Sequence, residues 1–146
     1  MTSENAQLNA ACHCGNVRFT VRLMGSLTDV SRCTCSLCQK RGAVTVSAKV
    51  GDIVFIKGEE NLSLYQFHTK TAKHYFCKTC GIYTHHQRRS NPAHFAVNVA
   101  CLDNVSPFDF HEVPVWDGAR HPSDTFEKDI LVGILKFCPK QEAFES

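Results

Sequence analysis

The sequence predicts a single domain that is mainly β, and three observations support this prediction. Residues 16–23, NVRFTVRL, alternate apolar and polar side chains with the period of two of a strand that has one buried face. Later segments are short, rich in β-branched and aromatic residues, and separated by glycine, asparagine, aspartate or proline. No stretch keeps a helical period for more than about two turns. We therefore expect short strands rather than long helices.

The predicted elements follow one another in chain order. The first strand has its buried face at Val17, Phe19, Val21 and Leu23. A hairpin-like turn is expected around Gly25, followed by strands in AVTVSAKV, DIVFIKG, NLSLYQF, KHYF, HFAVNVACL and ILVGILKF. The best helical candidate is SLCQKRG, a single turn that Gly42 would end. A second short helical or turn segment is expected after NVSPFDFHEV, and WDGARHPSD is expected to be a loop.

Length and composition favour one folded unit over residues 1–146. A chain of 146 residues with 43% hydrophobic and 21% charged residues has the size and content of an ordinary globular domain. The first ten residues are polar, and no run of about 18 apolar residues occurs. We therefore expect a soluble, cytoplasmic protein with no membrane partner.

The nine cysteines are better explained by metal binding than by disulfide bonds. Their number is odd, and the pairs Cys12/Cys14, Cys33/Cys35 and Cys77/Cys80 are too close in sequence to join distant parts of a fold. Seven thiolates and two divalent ions would change the net charge by −3, so the formal +2 becomes −1. The apparent basicity is therefore no argument for nucleic-acid binding, and we expect no nucleic-acid partner.

Two short motifs, CHCG and FCKTCG, supply a complete set of four thiolates, Cys12, Cys14, Cys77 and Cys80. Four cysteines are the ligand set of a closed structural zinc site. Each motif ends in a glycine, Gly15 or Gly81, which allows the tight turn that such a site needs. The alternative is that these are buried free cysteines.

A third motif, CTCSLC, places Cys33, Cys35 and Cys38 close enough to bind one metal ion together. Three protein ligands and an open position are the arrangement of a catalytic zinc. The alternatives are a fourth protein ligand that closes the site, with Cys101 a minor candidate, and iron–sulfur ligation, although the spacing does not match the common cluster runs. Otherwise Cys101 and Cys138, both in apolar strand contexts, are expected to be core residues.

Three motifs in this order, CHCGNVRF, CTCSLCQKRGA and YFCKTCGIYTHH, followed by VNVACLD, resemble the glutathione-dependent formaldehyde-activating enzyme family, which includes the centromere protein V domain. The resemblance runs from about Ala11 to Asp117. It implies a β-tent fold of small antiparallel sheets with two zinc ions. The structural ion would be bound by Cys12, Cys14, Cys77 and Cys80, and the more labile ion by Cys33, Cys35 and Cys38.

The resemblance also implies a carbon–sulfur lyase activity, the condensation of formaldehyde with glutathione to S-hydroxymethylglutathione. A zinc ion with three thiolates is a weak Lewis acid but binds a soft thiol well. We therefore expect a small thiol, with glutathione as the candidate, to occupy the open position. The chain is expected to be a monomer or a homodimer.

Several residues are candidates to assist this reaction. On a strand, His85 and His86 would face opposite sides, so at most one is expected to reach the site as a base; a solvated histidine is the commoner case. Arg88 and Arg89 could pair with the carboxylates of a glutathione-like ligand, although a solvated turn is commoner. Trp116 could cover a ligand or serve only in packing.

His13, between two ligands, is expected to point away from the metal. Two functions remain open at this point. One is a carbon–sulfur lyase that acts on a thiol adduct of formaldehyde or a related aldehyde. The other is a non-catalytic zinc-binding module for protein interaction, which a closed second site and an exposed apolar patch would favour.

Overall fold

The computed structural model describes residues 7–118 and 130–140, and within these ranges the chain is mainly β. Its strands are β1 (Gln7–Ala11), β2 (Arg18–Leu23), β3 (Arg32–Cys33), β4 (Thr45–Lys57), β5 (Leu62–Tyr65), β6 (Lys73–Cys77), β7 (Tyr83–Gln87), β8 (His94–Asn98), β9 (Glu112–Trp116) and β10 (Leu131–Lys136). One α-helix, α1 (Ser36–Arg41), and short 3₁₀ helices at Glu59–Asn61, Val99–Cys101 and Pro107–Asp109 complete the described elements.

Seven strands form a large antiparallel sheet in the order β1-β2-β4-β8-β7-β6-β5. The other three form a small sheet in the order β10-β9-β3, in which β9 pairs antiparallel with β10 and parallel with β3. The prediction of a mainly β fold built on antiparallel sheets is confirmed. The parallel pair is short, and it sets Cys33 opposite Trp116.

The core lies against β2, as the alternation of its sequence predicts. Phe19, Val21 and Leu23 are almost completely buried, and Val17 is buried just before the strand begins. Residues two apart on a strand lie on the same face, so this one strand contributes a continuous apolar row to the core. The core continues through Val46 of β4 and its neighbours in the sheet.

Two predicted strands, AVTVSAKV and DIVFIKG, are one strand of 13 residues in the structure. Gly51 lies inside this strand with a φ of 103°. The pairing of β4 with β2 is irregular between Val21 and Leu23. An irregularity of this kind bends a strand without ending it, so the glycine does not separate two elements. The predicted strand HFAVNVACL ends earlier than expected, at Asn98, whose side chain caps the following 3₁₀ turn.

Helix α1 begins where the cysteine motif predicts a helical turn. Cys35 is its N-cap, and the sulfur accepts a hydrogen bond from the Cys38 amide. The Gly42 amide donates to the Cys38 carbonyl and ends the helix. Lys40 and Arg41 occupy the last turn, where positive charge interacts favourably with the helix dipole.

The segment that contains β3 and α1 is a closed loop. Ser31 and Thr45 donate backbone hydrogen bonds to each other, both of 2.9 Å, and so form a bridge at its base. The loop therefore starts and ends at one point of the large sheet, beside the first residue of β4. Everything between Ser31 and Thr45 is held by this bridge and by the parallel pairing with β9.

Strands β1, β3, β7 and β9 lie in segments for which the sequence predicts no strand, and the 3₁₀ turn Pro107–Asp109 lies inside NVSPFDFHEV rather than after it. Of the predicted loop WDGARHPSD, the structure describes Trp116, which is the last residue of β9, and the irregular residues Asp117 and Gly118; the rest lies outside the described residues. In the described ranges no helix has both the length and the apolar character needed to span a membrane.

Candidate metal centres

The first cysteine cluster joins the two ends of the large sheet. Cys12 and Cys14 follow β1, whereas Cys77 ends β6 and Cys80 lies in the turn before β7. The four sulfurs all lie within 4.8 Å of one another. The Cys12–Cys14 and Cys14–Cys77 sulfur distances are 3.6 and 3.7 Å, close to the edge of about 3.8 Å of a tetrahedron with zinc–sulfur bonds of about 2.3 Å. The cluster therefore has the size and donor set of a tetrahedral metal site.

Each half of the first cluster is shaped by a glycine. Gly15 and Gly81 have φ angles of 81° and 77°, in the left-handed region that residues with a Cβ rarely adopt. Their amides donate to the carbonyls of Cys12 and Cys77, at 3.3 and 2.9 Å, and so close the two tight turns. The expectation drawn from the glycine after each motif is confirmed.

Hydrogen-bond donors surround the sulfurs of the first cluster. The Val17 amide lies 3.3 Å from the Cys12 sulfur, and the Thr79 amide lies 3.4 Å from the Cys77 sulfur. The Asn61 side-chain amide also donates to the Cys77 sulfur, at 3.4 Å. Such donors stabilise thiolates, which are the form of cysteine that binds a metal.

The second cluster lies wholly within the loop closed by Ser31 and Thr45. Cys33 ends β3, Cys35 caps α1 and Cys38 is in its first turn, and their sulfurs lie within 4.8 Å of one another. The Cys35 amide donates to the Cys33 sulfur, and the Cys38 amide donates to the Cys35 sulfur, both at 3.3 Å. In the described ranges no histidine, aspartate, glutamate or further cysteine joins this group.

Gly118 fits closely against the second cluster. A Cβ at this position would lie 2.7 Å from the Cys35 amide nitrogen and 2.9 Å from the Cys35 Cβ, and it would also clash with the Cys33 sulfur. The Gly118 amide donates to the Thr34 hydroxyl at 3.0 Å, and the Thr34 amide donates to the Trp116 carbonyl at 3.1 Å. These hydrogen bonds hold the segment after β9 against Cys33 and Cys35.

Arg41 connects the second cluster to the large sheet. Its guanidinium donates to the Cys38 sulfur at 3.5 Å and lies 3.0 Å from His74 Nδ1 and 3.4 Å from His86 Nδ1. The guanidinium carbon is 3.7 Å from the centre of the Tyr83 ring, a cation–π contact. His74 and His86 are directly paired on β6 and β7, and their rings are 4.6 Å apart.

A cavity of about 730 Å³ opens beside the second cluster. This volume is within the range of small-molecule sites. Its lining includes all three cysteines of the cluster together with Arg88, Arg89, Trp116, His74 and His86. Arg88 also donates to the Ser47 hydroxyl at 2.9 Å, which fixes its side chain at the wall.

Burial keeps the histidines near this cavity neutral. Burial and, to a smaller extent, the charge of Arg41 together lower the pKa of His74 to about 4. Burial likewise lowers the pKa of His86 well below the usual value of 6.5, again with Arg41 as the next contributor. In the second cluster, hydrogen bonds from Cys33 and Cys38 lower the pKa of Cys35, and the same sulfur contacts raise the pKa of Cys33.

The predicted opposite orientation of His85 and His86 is confirmed, but the expectation that such histidines are solvated is wrong. His85 is 3% exposed and is surrounded by aromatic rings on the far side of β7 from the cavity. Burial lowers its pKa to about 4. His86 lines the cavity, and the Tyr83 hydroxyl lies 2.6 Å from its Nδ1.

The remaining candidates lie away from the second cluster. His13 is exposed and belongs to neither cysteine group. Cys101 is buried in the core, where burial raises its pKa to about 12, and its thiol contacts the Tyr83 carbonyl at 3.5 Å. The expectation that Cys138 is a core residue is wrong, because this cysteine is exposed beyond β10, a strand whose side chains are all exposed.

Sequence reasoning did not single out Arg41, His74, Tyr83 or Gly118. Arg41 carries one usable signal, since it lies three residues after Cys38 on a helix and therefore on the same face. His74 and Tyr83 come near it through the pairing of β6 with β7, and Gly118 through the pairing of β9 with β3. Neither pairing leaves a local pattern in the sequence.

The fold and the two clusters define the class of protein: a mainly β domain with two cysteine centres, each able to hold a metal ion. Residues 7–116 match the family model described as "Glutathione-dependent formaldehyde-activating enzyme". The chain belongs to this family. The matched range is close to the resemblance from Ala11 to Asp117, and the family's β-tent fold is thereby confirmed.

Known proteins are similar to this chain at two levels. A Halomonas elongata protein named "Putative glutathione-dependent formaldehyde-activating enzyme" is 33% identical over 82 residues, which are 50% of this chain and 51% of that relative. The match thus spans about half the length of the curated relative. The crystal structure of a Rhodobacter sphaeroides protein, a structural-genomics target, superposes on this chain with a TM-score of 0.72 and a sequence identity of 54%. The alignment covers 74% of this chain and 99% of that protein.

Proposed function

We propose that the protein is a zinc-dependent enzyme of the carbon–sulfur lyase type that forms and breaks the adduct of a small thiol with formaldehyde or a related aldehyde. Glutathione is the candidate thiol. One observation carries the proposal: a three-cysteine cluster with no fourth ligand from the described residues faces a cavity of about 730 Å³. Family membership supports the same chemistry.

The donor sets of the two clusters support zinc at both. Cys12, Cys14, Cys77 and Cys80 would hold a closed structural ion, because four sulfurs at tetrahedral spacing complete its coordination. Cys33, Cys35 and Cys38 would hold the second ion and leave one position for substrate. Soft thiolate ligands favour zinc over hard cations such as magnesium.

Zinc at the second cluster would supply one thing, a site at which a thiol binds as its thiolate. In the reaction, the sulfur of the thiol would form a bond to the carbonyl carbon of formaldehyde while the carbonyl π bond breaks and its electrons pass to the oxygen. The carbonyl oxygen takes up a proton, and the proton lost by the thiol goes to solvent. The reverse reaction breaks the same bond and releases aldehyde and thiol.

Residues of the chain would position the substrate in the cavity. Arg88 and Arg89 lie on its wall, and guanidinium groups bind carboxylates through paired hydrogen bonds. Trp116, which pairs with Cys33 between β9 and β3, provides an apolar surface. A cavity of about 730 Å³ has room for a peptide-sized thiol such as glutathione.

The experiment that tests this function follows exchange between glutathione and its adduct with ¹³C-formaldehyde by NMR. The wild-type protein should accelerate the exchange above the spontaneous rate. The variant Cys35→Ala should not, whereas Cys138→Ala, which changes an exposed cysteine outside both clusters, should match wild type. Equal exchange rates with and without the wild-type protein would refute the proposal for this thiol.

A non-catalytic zinc-binding module for protein interaction remains the second candidate. The observation that favours it is the row of exposed apolar side chains along the edge strand β10, including Leu131, Val132, Ile134 and Leu135. Such an edge can recruit another chain. Under this alternative the wild-type protein should not accelerate the exchange, and Cys35→Ala should bind a protein partner as well as wild type does, since the second cluster would have no chemical role.

A further inference from the structure

The guanidinium of Arg41 is unusual because its partners on the large sheet are all neutral. His74 and His86 are uncharged imidazoles, and Tyr83 offers the face of its ring. The Arg41 Nε is buried and has no hydrogen-bond partner. Among the described residues, no carboxylate forms an ion pair with Arg41. The counter-charge of Arg41 must therefore come from the second cluster and from a ligand bound there, because removing an unpaired charge from water is costly.

We propose that Arg41 is a positioning residue that supplies the positive charge with which the second cluster holds an anionic substrate thiolate. This inference rests on the proposed function. Its geometric basis is the contact of 3.5 Å between the Arg41 guanidinium and the Cys38 sulfur. The other contacts of Arg41 fix the guanidinium in place without neutralising it.

The charge of the metal complex explains why this help is needed. Three thiolates and one divalent cation carry a net charge of −1, and a fourth thiolate brings it to −2. An anionic site of this kind repels an incoming thiolate, and repulsion is strong in a partly buried environment. A guanidinium in contact with one ligand sulfur offsets one of the two negative charges.

The surroundings of Arg41 are suited to a fixed charge rather than a mobile one. Its side chain begins at the last turn of α1 and passes over the Tyr83 ring at 3.7 Å. His74 Nδ1 accepts a hydrogen bond from it at 3.0 Å, so the proton of that imidazole is on Nε2. Because Tyr83 and His74 belong to β7 and β6, the large sheet determines where the charge lies.

The test uses the full chain with cobalt(II) in the second cluster, where ligand binding changes the absorption spectrum. Glutathione serves as the anionic probe and imidazole as the neutral probe, both at one fixed pH near neutrality. The variant Arg41→Gln should bind glutathione about tenfold more weakly than wild type and bind imidazole equally well. A merely structural role would weaken both probes alike.

Three further variants complete the design. Lys40→Gln removes a neighbouring charge from the same helix end, is exposed, and should leave both affinities unchanged. Arg41→Lys keeps the charge and should restore most of the glutathione affinity. Arg41→Met keeps an unbranched side chain over Tyr83 and replaces the glutamine variant if that protein does not fold.

The outcomes separate this inference from the proposed function. If wild type binds imidazole but no thiol, the proposed function fails, and the inference fails with it. If wild type binds glutathione and both neutral variants bind it equally well, the inference alone is overturned. Selective loss of glutathione binding, recovered in Arg41→Lys, supports it.

Discussion

Gly118 and Cys35 lie so close that the position of one determines the geometry around the other. A methyl group at position 118 would lie 2.7 Å from the Cys35 amide nitrogen, the same amide that donates to the Cys33 sulfur. The Cys35 backbone cannot move aside for this methyl group as the end of a flexible side chain could. The chain after β9 therefore helps to set the arrangement of the second cluster, although it contributes no sulfur.

The first prediction concerns Gly118→Ala. The added methyl group should displace the loop that carries Cys33 and Cys35, so the purified protein should contain about one metal ion fewer than wild type. Metal content by mass spectrometry measures this. Gly133→Ala is the matched control, because a Cβ there meets nothing within 4 Å. Full metal content in Gly118→Ala would contradict the close fit.

The second prediction separates the two clusters. Cys77 is fully buried and joins β6 to the turn after β1, so Cys77→Ala should fail to fold or melt at a far lower temperature. Structural zinc contributes on the order of 10 kcal/mol to folding in small zinc domains. Cys35→Ala should lose one metal ion and stay folded, because its loop is anchored independently. Thermal melting and metal analysis measure both, and equal collapse of the two variants would refute the division.

The third prediction concerns support of the first cluster by Asn61. Its side-chain amide donates to the Cys77 sulfur at 3.4 Å and to the Thr79 hydroxyl at 3.1 Å. Asn61→Ala should weaken metal binding at the first cluster about 10- to 100-fold, the usual cost of losing such a partner. Competition with a chromogenic chelator measures the affinity.

The control for Asn61→Ala is Asn16→Ala. The Asn16 side-chain amide donates to the same Thr79 hydroxyl, at 3.3 Å, but forms no hydrogen bond to a sulfur. Its loss should change the affinity much less. Equal weakening in the two variants would mean that the Thr79 contact, rather than the hydrogen bond to sulfur, supports the cluster.

The fourth prediction is a pH dependence of stability that originates at His85. Burial lowers the pKa of this histidine from 6.5 to about 4, so the unfolded chain binds its proton more readily than the folded chain does. The stabilisation is complete above pH 6.5 and is lost as the pH falls toward 4. The total change is at most about 3 kcal/mol.

Denaturant unfolding at a series of pH values tests the contribution of His85. The variant His85→Phe should show a shallower loss of stability between pH 6.5 and 4, because its side chain does not titrate among the surrounding aromatic rings. His68→Asn, a change at an exposed histidine, should follow the wild-type curve. Acid release of metal affects all three proteins, so the difference between their curves isolates His85.

The sequence predicts features whose cause is local. The spacing of Cys33, Cys35 and Cys38 brings three sulfurs together within a few residues of chain, and the alternation of β2 identifies its buried face. A chelating turn and a strand face both depend on neighbours in sequence, so their patterns can be recognised without the fold.

Other features arise only when distant strands pair. Arg41 meets His74 and Tyr83 because its side chain reaches from α1 to the β6–β7 pair, and Gly118 meets Cys35 because β9 pairs with β3. At Gly51 the sequence predicts a break between two strands, but the structure has one continuous strand, because a bent strand tolerates a residue that normally separates two strands. In each case the deciding contact is between segments far apart in the chain.

The bridge between Ser31 and Thr45 has a consequence for how such proteins can diverge. It closes a loop that carries all three sulfurs of the second cluster, the helix and Arg41, while the first cluster and the large sheet lie outside it. All three sulfurs of the second cluster are thus encoded in one contiguous segment. Substitutions within residues 32–44 can change this cluster while the ligands of the first cluster and the strands of the large sheet stay the same.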